Sequence, residues 1–407
     1  MVSTRRIAVP AALSHALLWA ALCLFFTGCL PAAPAAAASP SPAPTATPAP
    51  TPYVPETVVV RFVGDLMVSK AMTLSAEQPD GTYDFTPIFT DSIRKELSGA
   101  DLMIGNLETP VAGKENGGFT GRPRFNAPDE YLDALGAAGF TVLTTANNHM
   151  LDRGVEGAVA TAEKVRVKGF MQTGSFTSKE DAQQLLIADV RGVKVCVLAY
   201  TYHSTRTEEG KDKEARTWLR NYHEPEKMAA DIEKARSQGA DVVLVFTHMG
   251  TEGSYSENRL QRQMAKHLAA SGADAAIFCH SHAVQPFDRI PAPDGREMFT
   301  AYSLGNFLAD GEYRMSRSGM ILELPVTFDR EAGTVRVDNV RYVPSYSHQY
   351  TRGDDTTFRL YAAAAAMADD SLSGGTRSWA ETAWNTVTGV AGDRFATPVK
   401  SFSDPVS

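Results

Sequence analysis

The sequence predicts an α/β fold with two sheets, on three observations. Short, continuously apolar runs rich in β-branched residues recur from Val58 onward. Amphipathic helical stretches fill most of the intervals between them. After Met298 the helices give way to strand upon strand. Apolar runs without polar alternation belong to strands covered on both faces, so the first part reads as a sheet flanked by helices. The later strands read as a return through a second sheet.

The chain has 407 residues, 43% hydrophobic and 21% charged, with a formal charge of −8. Residues 1–28 read as a lipoprotein signal peptide: Arg5 and Arg6, then an apolar run from Ile7 to Phe26, then Phe26-Thr27-Gly28-Cys29. Small residues before a cysteine make Cys29 the expected lipidation site. An uncleaved anchor helix is the alternative, and both readings place the rest outside the cytoplasm. Residues 29–55, almost entirely Pro, Ala, Ser and Thr, cannot bury a core and read as a stiff spacer.

Without Arg5 and Arg6 the chain carries 37 basic against 47 acidic side chains. That balance excludes nucleic acid as an expected partner, and adhesion to anionic lipid by charge alone. Beyond the signal, Cys196 and Cys279 lie in apolar strand-like runs, so buried free thiols are expected, although export would permit a disulfide.

The expected strands are Val58–Val63, Leu102–Ile104, Thr141–Leu143, Val193–Ala199, Val242–Phe246 and Ala275–Phe278. The helices are Glu130–Ala138, Val155–Val167, Pro225–Gln238 and Arg259–Ala270. Met298–Leu304, Gly319–Phe328 and Thr334–Val343 read as later strands. The main domain is expected over 56–350. Within a C-terminal extension, 351–407, Phe358–Ala368 reads as helical and the end as loosely attached.

The functional signal lies in the polar residues at the strand ends. Gly64-Asp65, Gly105-Asn106-Leu107-Glu108, Asn147-Asn148-His149 with Asp152, Thr247-His248 and His280-Ser281-His282 each close an apolar run. Ligands of α/β folds bind at the carboxyl ends of strands, where loops converge. Taken singly, Gly64-Asp65 is a cap or turn, Asn147-Asn148 a turn, and His248 a satisfied core histidine. Together they predict a site. Carboxylate, amide oxygen and imidazole form a donor set suited to a divalent ion such as Zn, Mn or Fe. Arg122, Arg124 and Arg153 are candidates for a carboxylate or phosphate, with ordinary surface charge the alternative for the first two.

These motifs, with His248-Met249-Gly250-Thr251-Glu252 and Tyr302-Ser303-Leu304-Gly305-Asn306-Phe307, resemble the CapA family of poly-γ-glutamate capsule-synthesis proteins, relatives of calcineurin-type metallophosphatases. The resemblance spans roughly Val58 to Tyr346 and implies a four-layer α/β/β/α sandwich. It implies that Asn148, His248 and His280 serve one metal and Asp65 and His282 another. It gives His149 the role of proton donor to the leaving group, with Asp152 orienting its ring. Two positions depart from the metallophosphatase pattern. Met67 replaces a second metal ligand, and Asn106 replaces the bridging aspartate, with Glu108 the candidate substitute. One strongly bound ion is therefore expected rather than a full pair.

Three functions compete. The first is a metal-dependent hydrolase of phosphoesters or amides. The second is a non-catalytic protein that handles poly-γ-glutamate or a related anionic surface polymer within a synthesis or export complex. The third is a structural domain in which metal only steadies the loops. The anchor reading has its own test: Cys29→Ser should release the protein from the membrane fraction or leave the precursor uncleaved. Full processing with unchanged membrane retention would refute it.

Overall fold

A computed structural model describes residues 54–205, 213–310, 317–352 and 355–404. The signal expected over 1–28, Cys29 and nearly all of the 29–55 spacer lie outside these residues. Among the described residues, no helix is long and apolar enough to cross a membrane.

The first strand, β1 (Glu56–Leu66), pairs in parallel with β2 (Leu102–Leu107), which pairs with β3 (Val142–Thr144) and then β4 (Met171–Thr173). The chain crosses to a six-stranded sheet. There β5 (Leu186–Val190) pairs antiparallel with β6 (Val193–Thr201), and β7 (Val242–His248) and β8 (Ala275–Cys279) continue in parallel. The hairpin of β9 (Phe287–Pro291) and β10 (Glu297–Ala301) completes it, with β10 against β8. The chain then returns. Short β11 (Asn306–Leu308) meets the end of β1, and β12 (Ser318–Asp329) runs antiparallel along β1. The first sheet grows outward through β13 (Thr334–Val337), β14 (Arg341–Arg352), β15 (Asp355–Ala362) and β16 (Thr397–Pro398), reaching ten strands.

Side-chain alternation along the strands builds the layers. In β1, Val58, Val60 and Phe62 face the second sheet and pack with Val195, Val197, Leu244 and Ile277. Val63 and Leu66 face outward, onto α1 (Lys70–Ala76), α2 (Asp91–Leu97) and α3 (Glu130–Ala138) through Met72, Ile93 and Leu132. The helix α4 (Gly154–Val167) joins that layer through Val165. On the other side, Cys196, Leu198, Val243 and Val245 pack under α5 (Pro225–Ser237) and α6 (Arg259–Ser271). Helix α6 begins on a reciprocal Asn258–Gln261 cap and ends on Gly272 in the left-handed region, which defines its length. The order is α/β/β/α. Cys196 and Cys279 are buried free thiols.

Three expectations about the last third are corrected. Phe358–Ala368 is not one helix: Phe358, Leu360 and Ala362 alternate into the core as β15, and only α7 (Ala363–Ala368) is helical. The alanine run masked a period of two. Nor is the end loosely attached. The helix α8 (Gly374–Ala391) places Val387 and Ala391 in the inter-sheet core. Thr334–Val343 is two strands, parted at Asn339, whose φ is 52°.

A largely buried ion cluster ties five chain regions together. Arg61 Nε donates to Glu323 Oε2 at 2.8 Å, and Arg341 Nε donates to Oε1 at 2.9 Å. The Arg61 guanidinium lies 4.2 Å from the Phe402 ring, with Arg341 at 5.5 Å, while Glu96 accepts from the Phe402 amide. A buried carboxylate shared by one buried and one half-buried guanidinium cannot be neutralised without leaving them unbalanced. Glu323→Gln should therefore cost about 3–5 kcal/mol in chemical denaturation, the usual loss when one partner of a buried pair is removed. A loss below about 1 kcal/mol would show the cluster to be dispensable.

Candidate metal centre

Parallel pairing brings the carboxyl ends of β1, β2 and β3 to one edge of the first sheet, and β7 and β8 end on the facing edge of the second. Asp65 lies at the end of β1, Glu108 just after β2, Asn148 after β3, His248 at the end of β7, and His280 and His282 after β8. The structure brings all six together.

His248 Nε2 is the focal atom. Asn148 Oδ1 lies 2.9 Å from it, His280 Nδ1 3.1 Å and Glu108 Oε1 3.3 Å. One nitrogen cannot satisfy three such neighbours with a single proton. Ligand bonds of about 2.0–2.2 Å place neighbouring ligand atoms about 3.0–3.4 Å apart, and these donors are spaced that way. Glu108, His248 and His280 form one three-residue set able to hold an ion; Asp65, Glu108 and His282 form a second, sharing Glu108.

Glu108 is the diagnostic residue. Its side chain is fully buried, and among the described residues neither carboxylate oxygen has a hydrogen-bond partner. Burial, then the nearby Asp65 carboxylate, push its pKa well above the ordinary value. A sealed carboxylate without hydrogen bonds costs several kcal/mol unless a positive charge meets it. The donor set and this orphaned group fit a divalent cation. Burial, helped by the neighbouring imidazoles, lowers His248 to about 3 and His280 to about 2, so both rings are neutral with lone pairs available. His282 behaves oppositely. Burial works against its charge, yet Glu108 and Asp65 push it up to about 10. For Asp65, burial raises the pKa, but His282, His248 and Asn106 outweigh that and hold the carboxyl well below the usual range.

The positioning residues were only partly anticipated. Asn106 Nδ2 donates to Asp65 Oδ1 at 2.7 Å and lies 3.2 Å from His248 Nδ1. Its amide orients both side chains, leaving His248 Nε2 turned to the ligand set. Asn147 fixes Asn106 in turn, donating from Nδ2 to Asn106 Oδ1 at 3.1 Å. Met67 packs with Phe125 and Ala309 in a small apolar cluster. His280 and His282 both adopt positive φ, 99° and 56°, a conformation that non-glycine residues rarely hold and that here aims two imidazoles inward. Asn306 Oδ1 lies 2.8 Å from His282 Nδ1. Gly64 admits the return strand: a Cβ there would lie 1.8 Å from the Gly305 carbonyl oxygen, which accepts from the Asp65 amide.

His149 lies beside this cluster. Its Nδ1 is 2.8 Å from Asp152 Oδ2, and its ring meets Phe125 edge-on at 4.7 Å. Asp152 is buried and also accepts from the Phe125 amide and Thr205 Oγ1. Arg153 braces the neighbouring loop, donating to the carbonyls of Phe125 and Arg124. His203, absent from the residues expected at the site, has its ring centroid 4.9 Å from that of His280. It comes after β6 without an adjoining glycine or second polar ligand, so the sequence offered little to mark it.

Layer order and the mixed carboxylate, amide and imidazole cluster at the strand ends define an α/β/β/α protein with a candidate metal centre. The family model "Bacterial capsule synthesis protein PGA_cap" matches residues 59–311, well over half of the chain, and the chain belongs to that family. It is 26% identical over 291 residues to "Capsule biosynthesis protein CapA" of Bacillus anthracis, covering 70% of this chain and 67% of that protein. It is 29% identical over 282 residues to "PGA biosynthesis protein CapA" of Bacillus subtilis (strain 168), covering 67% and 68%. Among solved structures, NAD nucleotidase (NadN) of Haemophilus influenzae superposes with a TM-score of 0.44 at 14% identity, over 86% of this chain and 58% of that one. The calcineurin-like phosphoesterase YfkN of Bacillus subtilis gives 0.39 at 13% identity, over 83% and 99%.

The orphaned carboxylate yields a two-sided prediction. In EDTA-treated protein, Glu108→Gln should leave the melting temperature unchanged or raise it, because a buried unpaired acid is removed. Saturating Mn, Zn or Fe should raise the wild-type midpoint by several degrees but move the variant far less. Equal metal-induced shifts in the two proteins would dismiss Glu108 as a ligand.

Proposed function

We propose that this protein acts in the metabolism of an anionic capsule polymer, poly-γ-glutamate or a relative, as a metal-dependent hydrolase of phosphoester or amide bonds. In this reading it works outside the cytoplasm, anchored through Cys29 and held off the membrane by residues 29–55. The observation that carries the hydrolytic part is the sealed Glu108 carboxylate, facing two neutral imidazoles and an amide oxygen. Such a set holds a divalent ion, which when bound supplies Lewis acidity and an activated water.

The chain's own residues do the rest. Asp65, Glu108, Asn148, His248, His280 and His282 would hold and orient the ion, His282 on releasing the proton that its acidic neighbours otherwise favour. Asp152 fixes the His149 ring through Nδ1, and His149 delivers a proton to the departing group through its other nitrogen. Phe125 covers one edge of that ring and limits water access.

A second reading is favoured by two specific positions. Met67 is spent on apolar packing and the Asn106 amide on hydrogen bonds, so the second ligand set lacks the donors a full pair of ions would use. A protein that binds the polymer during export or attachment, in a complex with its synthesis machinery, would tolerate both changes.

Metal content and turnover, measured together on phosphoesters and γ-glutamyl amides, separate the two. His149→Ala should keep its metal and lose about 10²–10⁴-fold in rate, the usual worth of a general acid. His280→Ala should lose both. If the wild type holds metal yet turns nothing over, while His149→Ala still supports polymer display in cells, the binding reading replaces the hydrolase.

A further inference from the structure

Beside the metal centre lies a second feature that its ligands do not explain. A cavity of about 800 Å³ opens next to His203, lined in part by Tyr202, Arg216, Arg220, Tyr222 and Lys227. Its wall grows from the strand ends that carry the ligands. Thr201 pairs with His248 in the β6–β7 register, and the Tyr202 amide donates to the His248 carbonyl at 3.0 Å. His203 therefore belongs to both places, with one side on the cavity and its ring 4.9 Å from His280.

The charge around this cavity runs against the charge of the whole chain. The protein carries −8 overall, yet among the described residues three cationic side chains line one cavity, with Glu224 the single carboxylate among those lining it and Asp231 paired to Lys227 behind them. A polyanion approaching an acidic protein is repelled at long range and needs a local positive potential to settle. The cations are also held in place. Arg220 is buried with its guanidinium 4.1 Å over the Tyr222 ring, and Lys227 pairs with Asp231 along α5. Arg216 stands exposed at the rim. Tyr202, 52% exposed and unusual for so large a side chain, offers an aromatic face beside it.

We propose that this cavity is a subsite for a carboxylate-bearing chain, in which Arg216 and Lys227 meet successive carboxylates and Arg220 and the tyrosines shape the wall. It rests on the reading of the protein as one that handles an anionic capsule polymer. A γ-linked glutamate chain carries a free carboxylate on every unit beside each amide, so binding one unit here presents the next linkage toward His203 and the metal centre. Planar guanidinium groups suit carboxylates, and each charge-assisted bond is stronger than a neutral one.

The test uses full-length protein stripped of metal with EDTA, so that affinity reports the cavity and not the ion. Calorimetry compares a short γ-linked glutamate oligomer, its fully amidated counterpart and inorganic phosphate. The oligomer should bind, more weakly as salt rises, and the amidated form should not. Arg216→Gln with Lys227→Gln should weaken binding by about tenfold or more, the loss expected on removing charge-assisted bonds. Should Lys227→Gln disturb folding by freeing Asp231, the exposed Arg216→Glu alone should still weaken it. The subsite is refuted if the Arg216 and Lys227 variants bind as wild type, if the amidated oligomer binds equally well, if the oligomer fails to bind, or if phosphate binds in its place. Absence of turnover in the metal-loaded protein, with oligomer binding intact, would end the hydrolase reading and leave the subsite standing.

Discussion

A carboxylate removed from water must be met by positive charge, and Glu108 imposes that requirement where the two sheets face each other. Its oxygens find no hydrogen bond among the described residues. The surrounding residues divide the task. His282, raised by its acidic neighbours, supplies a proton-borne charge toward Asp65, while His248 and His280 stay neutral and offer lone pairs. Burial and the neighbouring imidazoles hold His248 and His280 down, while Glu108 and the direct contacts with Asp65 and Asn306 raise His282. The layers of the sandwich hold that arrangement: strands from opposite sheets deliver groups that no single loop could bring within 3.3 Å of one another.

The amides around this point act as scaffolding. Asn147 holds Asn106, and Asn106 reaches both Asp65 and His248, so one short chain of hydrogen bonds fixes residues from β1, β2 and β7. An amide is suited to this because it donates and accepts at once without adding charge. At position 106 an amide thus orders the neighbouring side chains, where a carboxylate would itself bind a cation.

Much of this was legible in the sequence, because parallel strands impose a rule: polar residues immediately after buried strands meet at one edge. Asp65, Glu108, Asn148, His248, His280 and His282 all obey it. His203 escaped because it stands two residues past β6, in a segment whose polar neighbours carry no spacing signal. The course of β15 escaped for another reason. Alanine at Ala362–Ala366 satisfies helical and strand patterns alike, and only the pairing of Tyr346 with Tyr361 decides between them. The Arg61–Glu323–Arg341 cluster could not be foreseen, since partners 262 residues apart leave no local trace.

That separation bears on how the chain comes to be folded. The central strand of the large sheet is the first of the described elements to leave the ribosome, and the neighbour that covers one of its edges, β12, is made only after the whole second sheet. Phe402, which lies against Arg61, emerges later still. Until then β1 presents an open edge of backbone donors and acceptors, the kind of surface that recruits stray strands. Sheets whose pairings span long stretches of sequence form slowly. The chain is therefore most exposed to aggregation through its own earliest strand, and pairing with β12 is what closes that window.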